Sequence, residues 1–209
     1  MDNRRKRSAA YAMFSTLLQR PDRPTHKEVL EGKPREIWAN LSDILKNGSP
    51  LPEMPVSWSS DTFVSYEEWR ELYNKAMPPV RPRLQAIESV HKMWSSDPTC
   101  EMPFANQKGF LQGDAAHHLY ALYKEIGFEV PHTFADCPDH LVLELEFMGL
   151  LVEDAGTAAQ RTFLEQHLDW VPALILDAQS KKTPEIYIDL LSWIESFLER
   201  ERVVLGIKP

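Results

Sequence analysis

The sequence predicts an all-α fold, a single compact bundle of roughly eight helices with a proline-rich connector. Apolar residues recur at spacings of three and four along most of the chain, which is the helical period. No window alternates apolar and polar residues between hairpin turns, so strands are not expected. The 16 prolines fall largely between the periodic runs. We therefore expect one domain over residues 1–209.

The first part of the chain predicts three helices. Residues 4–18 place apolar side chains on one helical face, and their four leading basic residues are interpreted as a solvated helix start rather than an export signal or a nucleic-acid arm. Residues 25–46 form a second run that a central glycine and proline can divide, and residues 47–60 form a loop. Asp61 is the expected N-cap of a third helix, which stops at Pro78.

A proline-rich connector at residues 77–102 is the least regular segment and the candidate hinge of the domain. It contains a short predicted helix at residues 84–94. Helical proteins with such a hinge, here residues 78–82, can exchange segments between protomers. Both a monomer and a segment-swapped dimer are compatible with this pattern.

The helical period is strongest after the connector. Residues 113–126 form one predicted helix, which a glycine closes. Pro138 is placed in the first turn of the next helix. Residues 157–180 form a run that Pro172 kinks or breaks, and a last helix opens at residues 183–186.

The formal net charge of −8 is distributed unevenly. Residues 1–35 contain nine Lys/Arg against four Asp/Glu, whereas the rest of the chain contains 14 against 27. An acidic body repels nucleic acid and favours basic partners, although solubility alone would also explain the charge. The chain has only 8 glycines and no glycine-rich phosphate loop, which argues against a dinucleotide enzyme.

Cysteine usage and hydropathy predict the compartment. The 2 cysteines do not make a disulfide framework, which favours a reducing environment. No run approaches the ~20 apolar residues of a membrane span, and the chain does not begin with a signal peptide. We expect a cytoplasmic protein with no stable membrane insertion and no nucleic-acid partner.

The densest polar constellation lies at residues 136–146. On a helix that begins near Pro138, Asp139 would occupy the first turn and complement its unpaired N–H groups. His140 and Glu144 would then share one face, where a carboxylate can raise the pKa of an imidazole, as a general base or a metal ligand requires. The alternative is a helix cap beside a solvated His–Glu pair, since no nucleophile motif or full metal ligand set accompanies it.

Aromatic and histidine residues offer further candidates. Trp58, Trp69 and Trp94 lie beside proline-rich segments, where they either belong to the core or line a groove for an apolar peptide. His117 and His118 are adjacent, so on a helix they point about 100° apart and are poorly placed to bind one metal ion together.

The polar constellation and a later motif together resemble a known family. Residues 138–148, followed by Phe163 and by residues 167–172, are similar to the redox enzyme maturation chaperones of the TorD, DmsD and NarJ type. That family typically has an acidic-x-x-Asp-His motif that leads into a helix, and a later His-Leu-x-x-Trp. Here the proline of the first motif is shifted by one position, which leaves the subfamily and its client enzyme open.

The resemblance implies an all-helical cytoplasmic chaperone that is not an enzyme and has no cofactor of its own. Such proteins bind the N-terminal twin-arginine leader of a molybdopterin-dependent oxidoreductase catalytic subunit, or a remnant of that leader. They assist insertion of the molybdenum cofactor and delay export or assembly until the cofactor is in place.

The candidate leader-binding residues form two groups. One group follows the family motif, with carboxylates for the arginine pair and a histidine that orients the loop. The other is a hypothesised apolar wall. The motif group is Asp136, Pro138, Asp139, His140 and Glu144, and the wall group is Trp69, Trp94, Leu119 and Tyr123.

Two other functional classes stay open on the sequence. One is a helical metal-dependent, hydrolase-like enzyme built on His140 and Glu144, which stoichiometric metal in the purified protein would support. The other is a plain helical scaffold or regulator, which would bind no leader peptide.

Overall fold

The computed structural model describes residues 2–45, 51–78 and 82–207, and it confirms the all-α prediction. Residues 46–50 and 79–81, which hold the start of the predicted loop and part of the candidate hinge, lie outside the described residues. The described ranges contain ten α-helices and no β-strand. The helices are α1 (Asn3–Leu18), α2 (Arg23–Leu30), α3 (Lys33–Leu45), α4 (Tyr66–Ala76), α5 (Glu88–His91), α6 (Asp114–Ile126), α7 (Leu141–Asp154), α8 (Thr157–His167), α9 (Val171–Ser180) and α10 (Glu185–Val204).

Two predicted runs divide where the sequence marks a break. The run at 25–46 splits into α2 and α3 at Gly32, whose φ of +80° suits a residue without Cβ. The run at 157–180 splits into α8 and α9, and Pro172 lies in the first turn of α9, where its missing N–H costs nothing.

Helix α4 begins four residues later than the predicted N-cap implies. The assignment of Asp61 as N-cap is wrong, because Ser65 caps the helix and its Oγ accepts a 3.2 Å hydrogen bond from the backbone N–H of Glu68. The sequence Ser-x-x-Glu from Ser65 to Glu68 is that of a capping box, which defines the start of the helix more strongly than an isolated aspartate.

In the connector, the helix predicted for residues 84–94 shortens to α5. The preceding backbone pairs with the segment before α7, so it is extended rather than helical. The N–H of Leu141 donates to the carbonyl of Ala86, and the N–H of Glu88 donates to the carbonyl of Asp139, both at 2.9 Å. This long-range pairing has no local sequence signature.

Helix α7 lies at the centre of the bundle and packs against α1 and α8. It is apolar on nearly all sides, which is typical of a helix that is surrounded by protein. A methyl group at Gly149 would lie 3.4 Å from Cβ of Tyr11, so glycine allows α1 to approach α7 closely. Among the described residues, no helix is both long and apolar enough to cross a membrane.

An aromatic cluster joins α1, α3 and α10. The ring of Phe14 contacts Trp193 at a centroid distance of 5.0 Å and Phe197 at 5.4 Å. Trp38 of α3 packs edge-on against Trp193 at 5.4 Å. These edge-to-face and tilted ring contacts add to the burial of large rings and hold the terminal helices together.

Arg7 of α1 is buried, which corrects the interpretation of this residue as part of a solvated helix start, whereas Arg4 and Arg5 are exposed. Its Nε donates to Oε1 of Glu201 at 2.8 Å, and its Nη2 donates to Oε2 at 2.6 Å. Gln160 accepts from the same Nη2, and the Tyr11 hydroxyl donates to Glu201. This network links α1, α8 and α10. It pairs the buried charges of Arg7 and Glu201, each of which would be costly to bury alone.

Replacing Arg7 should therefore destabilise the fold strongly. We expect Arg7→Met to lower the free energy of unfolding by about 3–5 kcal/mol, because Glu201 would remain buried without its cation. The matched control is Arg5→Met in the same basic cluster, where the side chain is exposed. Urea unfolding followed by circular dichroism measures both, and equal losses for the two variants would contradict the structural role of Arg7.

Candidate functional site

The candidate site is built where the start of α5 meets the turn before α7. The backbone pairing of residues 86–88 with 139–141 holds the two segments side by side. Across this junction the Asp139 carboxylate accepts hydrogen bonds from the backbone N–H of Ser89, at 2.8 Å, and from the Ser89 hydroxyl. Asp139 thus satisfies an N–H group in the first turn of α5.

Three carboxylates meet behind this junction with no exposure to solvent. They are Glu88, Asp139 and Glu144, which we call the acidic core. Oε1 of Glu88 pairs with Lys92 at 2.7 Å, while Oε2 of Glu144 accepts from the indole Nε1 of Trp170 at 3.0 Å. These partners come from α5 and from the segment that joins α8 to α9, so the acidic core ties distant parts of the chain together.

Burial governs the ionisation of the acidic core. Loss of solvent, and then the neighbouring charges of Glu88 and Asp139, raise the pKa of Glu144 well above its ordinary value. Burial also raises the pKa of Asp139, against the opposing effect of its bonds from Ser89. Oε1 of Glu144 and Oδ1 of Asp139 have no hydrogen-bond partner among the described residues, so these oxygens lose solvent without a compensating bond.

A chain of two histidines connects the acidic core to the surface. His167 Nδ1 lies 2.8 Å from Oε2 of Glu88, and His167 Nε2 lies 2.7 Å from Nδ1 of His118. A carboxylate only accepts, so His167 donates from Nδ1, and in a neutral His167 ring Nε2 then accepts from Nδ1–H of His118. Burial, with the neighbouring His167, lowers the pKa of His118 and favours this neutral arrangement.

His118 opens onto an open cavity of about 750 Å³ between α5, α6 and α8. Lys92 crosses one wall, bridging Glu88 to Asp169 at 2.7 and 2.5 Å. Asp114 on the other side accepts from the N–H of Ser96 at 2.8 Å. Glu88, Lys92 and Asp169 of this cavity are thus paired with one another.

Helix α7 begins at Leu141, so the predicted helix start at Pro138 is wrong. Pro138 and Asp139 are buried in the turn before the helix, and His140 is its N-cap, with Nδ1 accepting from the N–H of Val142 at 3.2 Å. Burial lowers the pKa of His140 to about 4, so the ring is neutral at pH 7. Asp136 is exposed at the outer end of the turn.

The apolar candidates occupy three different places. Leu119 and Tyr123 are buried in α6, and burial, followed by the charges of the acidic core, raises the pKa of the Tyr123 hydroxyl. Trp94 is half-buried after α5. Trp69 is fully buried in α4, with its ring 5.9 Å from Trp58 and 5.2 Å from Phe63, so it is not brought together with the acidic core.

Several residues that build the site were not among the sequence-predicted candidates. Glu88, Ser89, His167 and Trp170 all contact the acidic core or belong to it. Part of their signal was present, because His167 and Trp170 lie in residues 167–172, which contribute to the family resemblance. Their role was hidden because a buried carboxylate and a solvated one look the same in sequence.

The described residues offer little to a metal-dependent reaction at this site. Within residues 2–45, 51–78 and 82–207, no three His, Cys, Asp or Glu side chains are arranged to hold a metal ion. His140 uses Nδ1 to cap α7, and Glu144 bonds to Trp170. The two residues on which the enzyme alternative was built therefore serve separate structural contacts.

Comparison with known proteins identifies the family. A family model described as nitrate reductase delta subunit matches residues 35–175. The chain therefore belongs to this family of molybdoenzyme maturation chaperones, whose partners are nitrate reductase-type molybdoenzyme subunits. A search of curated proteins finds no significant match, and a search of solved structures also finds none.

The raised pKa of Glu144 has a measurable consequence for stability. A carboxyl group whose pKa is higher in the folded state costs stability as the pH rises above its unfolded value near 4.5. Glu144→Gln keeps an acceptor for Trp170 and removes this cost. We expect the free energy of unfolding of the variant, relative to that of the parent protein, to increase as the pH increases from 5 to 8.

Glu153→Gln is the matched control, because Glu153 lies in the same helix and is exposed. Its pH profile should follow that of the parent. Thermal melts at a series of pH values give all three profiles, and a Glu144→Gln profile parallel to the parent would contradict the ionisation assigned to the acidic core.

Proposed function

We propose that this member of the nitrate reductase delta subunit family binds the twin-arginine leader of a molybdopterin oxidoreductase catalytic subunit, or a remnant of it. By holding the apo-enzyme, it assists cofactor insertion and delays export or assembly. The observation that supports this most is the turn before α7. Asp136 of this turn is exposed, while Asp139 of the same turn belongs to the buried acidic core.

The exposed part of the turn is suited to a basic peptide. Asp136 offers a carboxylate to an arginine guanidinium, which can bind it with two parallel hydrogen bonds. The ring of His140 packs 4.9 Å from Phe134, and its Nδ1 is occupied by the cap of α7. In the neutral ring Nε2 therefore carries the hydrogen, and it can donate to a carbonyl of the peptide backbone.

The buried motif residues have a positioning role in this proposal. Asp139 anchors the turn to α5 through Ser89, Pro138 restricts its backbone, and Glu144 bonds to Trp170. Leu119 and Tyr123 pack behind them in α6. These side chains set the position of Asp136 and His140 without contacting the leader.

The acidic body adds long-range attraction to these contacts. Residues after position 35 hold 14 Lys/Arg against 27 Asp/Glu, so this part of the chain as a whole attracts a cationic peptide end. This contribution is screened by salt, with a Debye length near ~10 Å at 0.1 M ionic strength. Trp94 supplies a half-buried apolar neighbour, while contact of Trp69 with a leader would require its aromatic cluster to open.

Leader binding can be measured directly with synthetic peptides. The probes are the twin-arginine leaders of the molybdoenzyme catalytic subunits encoded in the same genome, titrated by calorimetry. We expect at least one to bind, and Asp136→Asn combined with His140→Asn to weaken it at least tenfold, because the carboxylate and the ring donor are lost. Asparagine at position 140 keeps an N-cap for α7, so the thermal melt should change little.

Glu199→Gln serves as the charge-matched control, since Glu199 is exposed on α10, away from the turn. Its leader affinity should equal that of the parent, and the parent affinity should fall as salt increases. Binding of none of the leaders would favour a plain scaffold or regulator and overturn the proposal. Unchanged affinity in the double variant would remove the turn from the binding site.

A further inference from the structure

The segment between α5 and α6 carries an unusual amount of exposed apolar surface. We call residues 92–113 the aromatic loop. Met93 is 57% exposed, Phe110 40% and Leu111 50%, and Met102 is 46% exposed. Single exposed apolar residues are ordinary, but several on one short segment are typical of an interaction surface.

The aromatic loop has its own small core, so this surface is preformed. The ring of Phe104 lies 4.9 Å from Trp94 on one side and 4.9 Å from Phe110 on the other. The indole Nε1 of Trp94 donates to the carbonyl of Leu111 at 3.0 Å. The loop is also closed by backbone bonds, from Trp94 to Gln107 and from Ser95 to Ala105, both at 2.9 Å.

The loop is joined to the leader-binding turn by a short series of contacts. Ser89, which donates to the carboxylate of Asp139, accepts a 3.3 Å hydrogen bond from the N–H of Gly113. A Cβ at Gly113 would lie 2.5 Å from the carbonyl oxygen of Trp94, so glycine is required for this close approach. The aromatic loop and the turn that contains Asp136 are therefore connected through Ser89 and Asp139.

We propose that the aromatic loop binds the apolar segment of the leader, with Met93, Phe110 and Leu111 as its contact surface, while the turn at Asp136 binds the arginine pair. This inference rests on the proposed function. A leader places an apolar stretch beside its basic end, and the molecule offers an apolar surface joined to an acidic turn. Preformed surfaces of this kind lose little conformational entropy on binding.

The charge of the loop favours the leader over the other molecules that an apolar surface can bind. The exposed charged side chains of the loop are Asp97, Glu101 and Lys108, while Lys92 is paired with Glu88 and Asp169. Together with Asp136 of the turn before α7, the exposed carboxylates therefore outnumber the exposed cation. Anionic lipid headgroups and nucleic acid are repelled by such a surface. A second copy of this acidic chain would bring like charges together, whereas an apolar peptide with flanking cations would not.

The test compares two peptides on the parent protein and two variants. One peptide is the leader that binds the parent, and the other is a truncated form that keeps the arginine pair without the apolar stretch. We expect Phe110→Ala combined with Leu111→Ala to weaken the full leader at least tenfold and to leave the truncated peptide unchanged. Leu176→Ala, at a 68% exposed position on α9, is the matched control and should bind both peptides as the parent does.

The two proposals fail in different ways in this experiment. If no full leader binds the parent, the proposed function itself is overturned. If the full leader binds the parent and the double variant equally, only the role of the aromatic loop is overturned. If the double variant instead changes the sedimentation coefficient of the free protein from dimer to monomer, the surface belongs to a second copy of the chain and the inference is also overturned.

A photo-crosslink gives an independent readout that does not depend on affinity. A benzophenone side chain in the apolar stretch of the leader should label residues within 92–113, identified by mass spectrometry of the digested complex. Labelling confined to the apolar groove between α1, α2 and α3, which includes Met13, Val29 and Ile37, would place the leader elsewhere and contradict the inference.

Discussion

The burial of three carboxylates in the acidic core is the constraint on which the rest of this region depends. Taking charged groups out of water is costly, and each one must be paired, hydrogen-bonded or protonated. Glu88 is paired with Lys92 and His167, Asp139 is bonded by Ser89, and the raised pKa of Glu144 favours its neutral form. The carboxylates and their partners belong to the segment of α5, to α7 with the turn before it, and to the end of α8. Pairing the buried carboxylates therefore fixes the relative position of three segments that are distant in sequence.

That arrangement explains how a helical bundle can present a defined peptide site. The turn that precedes α7 is not free to become helical, because its backbone is paired with residues 86–88 and the side chain of Asp139 is committed to α5. Asp136 is consequently held at the surface, and the ring of His140 is half-buried in the same turn. The aromatic loop leaves the same junction through Gly113. In the proposed function, recognition of a basic and apolar leader would depend on these two connected segments.

The helical spacing of apolar residues predicted most of the fold. The features that it did not predict depend on contacts between residues that are distant in sequence. Every predicted helix exists within the described residues, since apolar spacing and proline position are local signals. The start of α7 was misplaced because strand-like pairing of residues 139–141 with the connector overrides the preference of Pro138 for a first helical turn. Arg7 looked solvated because nothing nearby in sequence reveals Glu201. In the site, the motif identified Asp139 and His140, but only the structure separates the buried residues that position the turn from the exposed residues that can touch a peptide.

The central claim is that the leader contacts the turn before α7 and the aromatic loop, with the acidic core unchanged behind them. Amide hydrogen exchange of the protein with and without a bound leader tests it most directly. The account predicts slower exchange within residues 92–113 and 134–140 on binding, with α9 and α10 unaffected. Slower exchange confined to α1, α2 and α3, around the apolar groove at Met13 and Val29, would contradict it.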